Sequence, residues 1–214
     1  MRVFITGVGC VGKTTVGEKL ATLLGCPFFD LDTEIESYFG TSIERLQKRF
    51  LTTYSYRKEA SKALKQVLLR EDSQNCVIAL PPSGLMDAYW RMVKKANATT
   101  VVLEDSPENI LNRITFYDID SRPLEKKLSE REKQLYLRKI KGDISYFGPS
   151  YQRANVTVAI TGLGAEEAAQ KVRHVLIESL PMESGPELEP CPAPLGSTGT
   201  VRRGASRLKH GTHL

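Results

Sequence analysis

Behind a short apolar run, RVFI at residues 2–5, the chain reads GVGCVGKTT from Gly7 to Thr15, which fits GxxxxGK[ST]. Few folds accommodate this order of buried strand, glycine-rich turn and helix. Gly7, Gly9 and Gly12 let backbone N–H groups converge on an anion without side chains in the way, and the following helix presents its positive end to the same anion. Cys10 and Val11 complete the loop, with Cys10 read as a tolerated small residue. Lys13 is predicted to reach the β and γ phosphates of a nucleotide, and the Thr14 hydroxyl, followed by Thr15, to ligate Mg²⁺.

The rest of the chain alternates strands and helices. Apolar runs at residues 2–6, 27–30, 76–80, 99–103 and 156–160 read as strands with helical spacing between them. That pattern predicts an α/β fold, a parallel sheet covered on both faces. Val16, Leu20 and Leu23 mark one helix face; Ala60, Leu64, Val67 and Leu68 mark another; Ala168, Val172, Leu176 and Leu180 mark the last. Thr41 with Glu44 and Ser129 with Glu132 fit capping boxes, and Ser106 followed by Pro107 fits a helix start.

With 214 residues, 41% of them hydrophobic, one main domain is expected, and such a chain buries roughly 70% of its unfolded surface. We place it at residues 1–180. Residues 181–214 are rich in Pro, Gly and Ser and read as a disordered tail. Cys10, Cys26, Cys76 and Cys191 are scattered without a CxxC pair, which fits a reducing compartment and opposes structural zinc. With no apolar run long enough to span a membrane and no export signal, the expected location is cytoplasmic, without a membrane or nucleic-acid partner. The net charge of +5 comes from 30 basic residues interspersed with 25 acidic ones, so a mixed surface outweighs a nucleic-acid stripe.

A metal held by Thr14 needs a carboxylate nearby. The third strand ends in Pro81 and Pro82, so the acidic residue common there is missing, while FFDLDTEIE offers Asp30 and Asp32. In an extended segment the two point into one crevice, where a cation relieves their repulsion. Asp30 is assigned to the metal and Asp32 to the acceptor hydroxyl, as orienting group or base. The bland alternative, that one of them only caps the next helix, stays open. Glu104 and Asp105 are weaker rivals for the metal.

Read from Gly7 to Leu46, the sequence resembles the shikimate kinase family in its order of phosphate loop, helix, DxD and IE...G.SI segment. The resemblance implies a three-layer P-loop kinase fold with a five-stranded parallel sheet, order 2-3-1-4-5, helices on both faces and a lid. It also implies ATP as donor, Mg²⁺ as cofactor and, as small-molecule acceptor, the 3-hydroxyl of shikimate; a monomer is the expected working unit. Carried over residue by residue, YSYRKEASKAL makes Arg57 the grip on the acceptor's carboxylate, although the supporting glutamate is Ala60 here. SRPLEKKL makes Arg122 the lid arginine that offsets charge in the transition state. NILNRI places Arg113 on adenine, and Thr161 to Ala168 fall where the adenine loop lies.

Two departures concern the acceptor. Pro81, Pro82 and Ser83 replace a glycine triplet, leaving Ser83 as the acceptor-facing candidate and removing backbone donors. FGPSY puts Phe147 where the family has a second arginine, and Arg153 is the nearby substitute to consider. A kinase for another hydroxylated acceptor is the first rival reading. A nucleotide-binding regulator without turnover is the second.

Overall fold

A computed structural model of the chain describes residues 1–120 and 122–179. The expected tail and the Leu180 end of the last helical face lie outside the described residues. Strands β1 (Arg2–Thr6), β2 (Phe28–Asp30), β3 (Cys76–Ala79), β4 (Thr99–Glu104) and β7 (Val156–Ala159) form one parallel sheet in the order β2-β3-β1-β4-β7. Counted within that sheet, the order is the anticipated 2-3-1-4-5. Phe4 lies level with Ile78 on one side and Thr100 on the other. β1 and β3 are buried along their whole length, because helices cover both faces and no residue of either strand can turn to water.

Helix α1 (Lys13–Leu24) packs on β3 and on α8 (Ala165–Ser179), joining Val16 and Leu20 to Ala168, Val172 and Leu176 in the core. Helix α4 (Thr53–Leu69) packs on α2 (Leu31–Phe39) and α5 (Asp87–Val93), burying Ala60, Leu64 and Val67. A fully buried side chain of this kind contributes roughly 1.5–3 kcal/mol. Helix α6 (Pro107–Asn112) starts at Ser106 with proline in its first turn and packs on α7 (Glu130–Tyr151), which carries the full Ser129–Glu132 capping box.

The short helix α3 (Ile43–Gln47) begins one residue later than the sequence reading placed it. Ser42, not Thr41, accepts the Arg45 N–H, while the Thr41 N–H closes the end of α2 onto Glu36 O. Strands β5 (Phe116–Tyr117) and β6 (Pro123–Leu124) make a small antiparallel hairpin between α6 and α7, in the stretch read as a lid. Among the described residues no helix is long and apolar enough to cross a membrane.

Candidate active site

Gly7 follows β1 at φ 146°, and a Cβ there would lie 2.6 Å from Leu103 O of β4. Only glycine lets the loop press so closely on its neighbouring strand. Gly12, at φ 110°, caps α1 without a side-chain acceptor, so the first N–H groups of the helix are left for an anion. Cys10 holds a left-handed φ of 61° although it is not glycine, and Gly9 has open space around it. The Lys13 ammonium folds back over the loop, donating to Gly7 O (3.2 Å) and Val8 O (3.0 Å). Burial lowers its pKa below the ordinary lysine value, while Asp32, Cys10 and Asp30 push the other way.

The Thr14 hydroxyl donates to Asp30 Oδ2 at 2.6 Å, and Asp30 Oδ1 accepts the Asp32 N–H at 2.9 Å. Asp30 therefore caps α2 and reaches Thr14 together, which joins the two readings that the sequence kept apart. Asp32 is not in an extended segment as anticipated: the cap starts α2 at Leu31, and Asp32 lies in its first turn. Both carboxylates still line one cleft of about 560 Å³ with Lys13, Thr14, Arg113 and Tyr117. Burial, then Asp30, pushes the Asp32 carboxyl up to about 6, against the pull of Lys13. Its side chain is exposed at the open mouth of the cleft, and the protein mass around it still carries the push.

Among the described residues no cluster of three His, Cys, Asp or Glu side chains could cage a metal. Mg²⁺ seldom uses such a cage; one or two carboxylates, waters and substrate phosphates satisfy it. A hydroxyl and a carboxylate in contact beside an anion loop fit that donor set. Asp105, one of the two weaker rivals, is engaged elsewhere, its Oδ1 by hydrogen bonds and its Oδ2 by an ion pair alone. Its buried carboxylate accepts from Ser106 N, Asn109 Nδ2 and Thr161 Oγ1 at 2.7–2.9 Å and pairs with Arg113 Nη1 at 2.6 Å. Burial pushes its pKa up, but these donors outweigh it and leave it below the ordinary value. Arg113 also donates to Val11 O at 3.3 Å and walls a narrow slot of about 120 Å³ together with Val11, Ile160, Leu163 and Ala168.

Arg122 is exposed at the turn of the hairpin, where its backbone pairs with Asp118, and it does not line the cleft. On the acceptor side, Pro82 lines the cleft and Ser83 does not; Ser83 O accepts the Met86 N–H within a tight turn. Arg57 is buried and, contrary to the expectation that it lacks acidic support, Asp87 Oδ2 lies 3.2 Å from its Nη1. Arg153 is no free substitute: it donates to Leu85 O at 2.7 Å and lies over the Trp90 ring. Phe147 packs against the core and stacks on Tyr151, whose hydroxyl donates to Pro82 O. The sequence reading missed Asp87, Tyr117 and Tyr89. The buried Tyr89 hydroxyl has no hydrogen-bond partner in the structure; burial raises its pKa, Tyr56 and Asp32 add to the rise, and Arg57 opposes it.

A parallel sheet in this order, with an anion cradle where β1 runs into α1 and two carboxylates beside it, defines a P-loop phosphotransferase of the small-molecule kinase class. The shikimate kinase family model matches residues 9–176, and the chain belongs to that family. It is 30% identical to the shikimate kinase of Salinibacter ruber over 190 residues, 87% of each chain. It is 32% identical to that of Aquifex aeolicus over 154 residues, 69% of this chain and 87% of the other. Among solved structures, the Acinetobacter baumannii shikimate kinase in complex with shikimate superposes with a TM-score of 0.64 at 27% identity, covering 83% of this chain and 93% of that one.

Proposed function

We propose that the chain transfers the γ-phosphoryl group of ATP, with Mg²⁺, to a hydroxyl of a small cyclic polyol, with shikimate as the reference acceptor. The supporting observation is the convergence of Lys13, Thr14, Asp30 and Asp32 on one cleft. In this reading Gly7 to Thr15 cradle the phosphates, Thr14 and Asp30 hold Mg²⁺, and the adenine enters the slot walled by Arg113. When bound there, the metal would supply neutralisation of the phosphate charge. Lys13 leaves its carbonyls for the phosphate oxygens. Asp32, with its raised pKa, takes the proton of the acceptor hydroxyl as the bond to phosphorus forms. Arg122 reaches the transferring group only if the hairpin folds over the cleft and excludes water. The free thiols of Cys10, Cys26 and Cys76 support a cytoplasmic setting, and a single chain carries every group named.

The deciding assay is Mg·ATP-dependent ADP release with and without shikimate, with Lys13→Ala as the blank. Shikimate should stimulate release, and the variant should lose about a hundredfold or more in turnover. Turnover within a few-fold of the parent in Lys13→Ala would sink the assignment. ATP binding without any release would favour the regulatory reading.

A further inference from the structure

A second cavity, of about 610 Å³, opens where the strands of the sheet begin, at the far end from the phosphate loop: Arg2 starts β1, Gln74 precedes β3 and Ala96 precedes β4. Its walls come from two helices that pack together. Lys65, Leu68 and Leu69 stand at i, i+3 and i+4 on α4, so they share one face. Met92, Lys95 and Ala96 repeat that spacing at the end of α5, where the Lys95 and Ala96 N–H groups bond back to Met92 O and Val93 O. Each wall thus offers apolar side chains and an ammonium.

The charge is one-sided. Arg2, Lys65 and Lys95 line the cavity, and no carboxylate does. Arg2 is 8% exposed, yet its guanidinium meets only neutral groups: Nε donates to Ser73 O at 2.6 Å, Nη1 to Ala96 O at 3.1 Å and Nη2 to Ser73 Oγ at 3.2 Å, with the Cys76 thiol beside it. A buried charge is ordinarily held by an opposite one, and walls of a single sign focus their field into the space between them. Lys65 and Lys95 make no hydrogen bond or ion pair among the described residues. Leu69, 70% exposed, leaves apolar surface beside these cations open to water.

Size selects the kind of ligand. Eight residues line the cavity, against the roughly 20–30 that a protein partner covers on each side, while the volume falls among those of small-molecule sites. Cations converging over an apolar floor ask for an anion joined to an apolar body. We infer that this cavity is a binding site, separate from the phosphotransfer cleft, for a small amphiphilic anion. Its acid group sits among Arg2, Lys65 and Lys95, and its aliphatic or aromatic body covers Leu68, Leu69 and Met92.

The test is a fluorescence titration of the full chain, in the presence of Mg·ATP, with two probes of the same ring body: anilinonaphthalene sulfonate and its uncharged parent, phenylnaphthylamine. The sulfonate should saturate a single site with a Kd of about 10–100 µM, which a probe of its size ordinarily reaches. The uncharged probe should bind at least about tenfold more weakly. Lys65→Gln/Lys95→Gln should weaken the sulfonate about tenfold or more and leave the uncharged probe within about twofold. Leu69→Gln should weaken both, because the body loses its apolar cover. These side chains lie outside the core and the cleft, so Tm and the affinity for Mg·ATP should stay native, which separates a lost site from a damaged fold. Absence of saturable binding, equal affinity for the two probes, or indifference of the sulfonate to the lysine pair would each overturn the inference. A dimer whose formation expels the probe would assign this face to a second copy of the chain and overturn it as well.

Discussion

Lys13 and Asp32 set each other's charge. Burial draws the lysine below its ordinary value while Asp32 leads the groups that restore it, and burial pushes Asp32 up to about 6 while Lys13 resists. Between its unperturbed value of 3.8 and about 6, the folded chain keeps a proton on Asp32 that the unfolded chain has released. Stability from this group is therefore fully present below that window and falls as pH rises through the folded pKa. At neutral pH the ionised carboxylate weakens the fold. Asp32→Asn should raise Tm at neutral pH, do little at about pH 4, and cut kcat by about 10²- to 10⁴-fold. The native kcat/KM should climb on the acid side of about 6 and level above it, and the variant should lose that limb. A lower Tm at neutral pH, or kcat close to native, would take the base role away from Asp32.

Elements meet at Asp105, which follows β4, accepts from Ser106 and Asn109 at the start of α6 and receives Thr161 from the loop before α8. The slot walled by Arg113, proposed above for the nucleotide, thus depends on one carboxylate. Asp105→Ala should cost about 1–3 kcal/mol in unfolding free energy, read by urea denaturation, because buried donors lose their acceptor. It should also raise KM for ATP about tenfold while sparing KM for the acceptor; an unchanged KM for ATP would mean the slot does not hold the nucleotide. The strands around this hub were legible in the sequence, because a strand buried on both faces must be a short apolar run, and β1 spans the run predicted for it. The phosphate loop and Asp30 were legible because their chemistry fixes their spacing. The Asp87–Arg57 pair was not, since residues on different helices meet through packing that leaves no local period. The two-residue strands of the hairpin likewise carry too few side chains to show alternation.

On the scale of the molecule, the described residues of the hairpin's turn are bound to α3 and its cap. The Ser42 hydroxyl donates to Ile119 O at 2.6 Å, and Arg45 pairs with Asp120 at 2.7 Å, both at the hairpin's turn. Since α3 follows α2, which carries Asp32, these bonds link the segment bearing Arg122 to the side of the cleft that Asp32 lines. An exposed ion pair adds little to global stability, yet it weighs on a small hairpin whose local opening is governed by few contacts. Arg45→Ala should therefore leave Tm nearly unchanged and speed amide hydrogen exchange in β5 and β6 by about two- to fivefold at low salt. The difference should shrink at about 1 M salt, where screening acts within about 3 Å. Where release of product limits turnover, the variant should also show a higher kcat with a higher KM for the acceptor, because the same opening that frees the product frees the substrate. Exchange that is indifferent to the substitution at every salt concentration would mean that the hairpin is held by its own packing, with Phe116 against Tyr136 of α7, and that α3 has no hold on its closure.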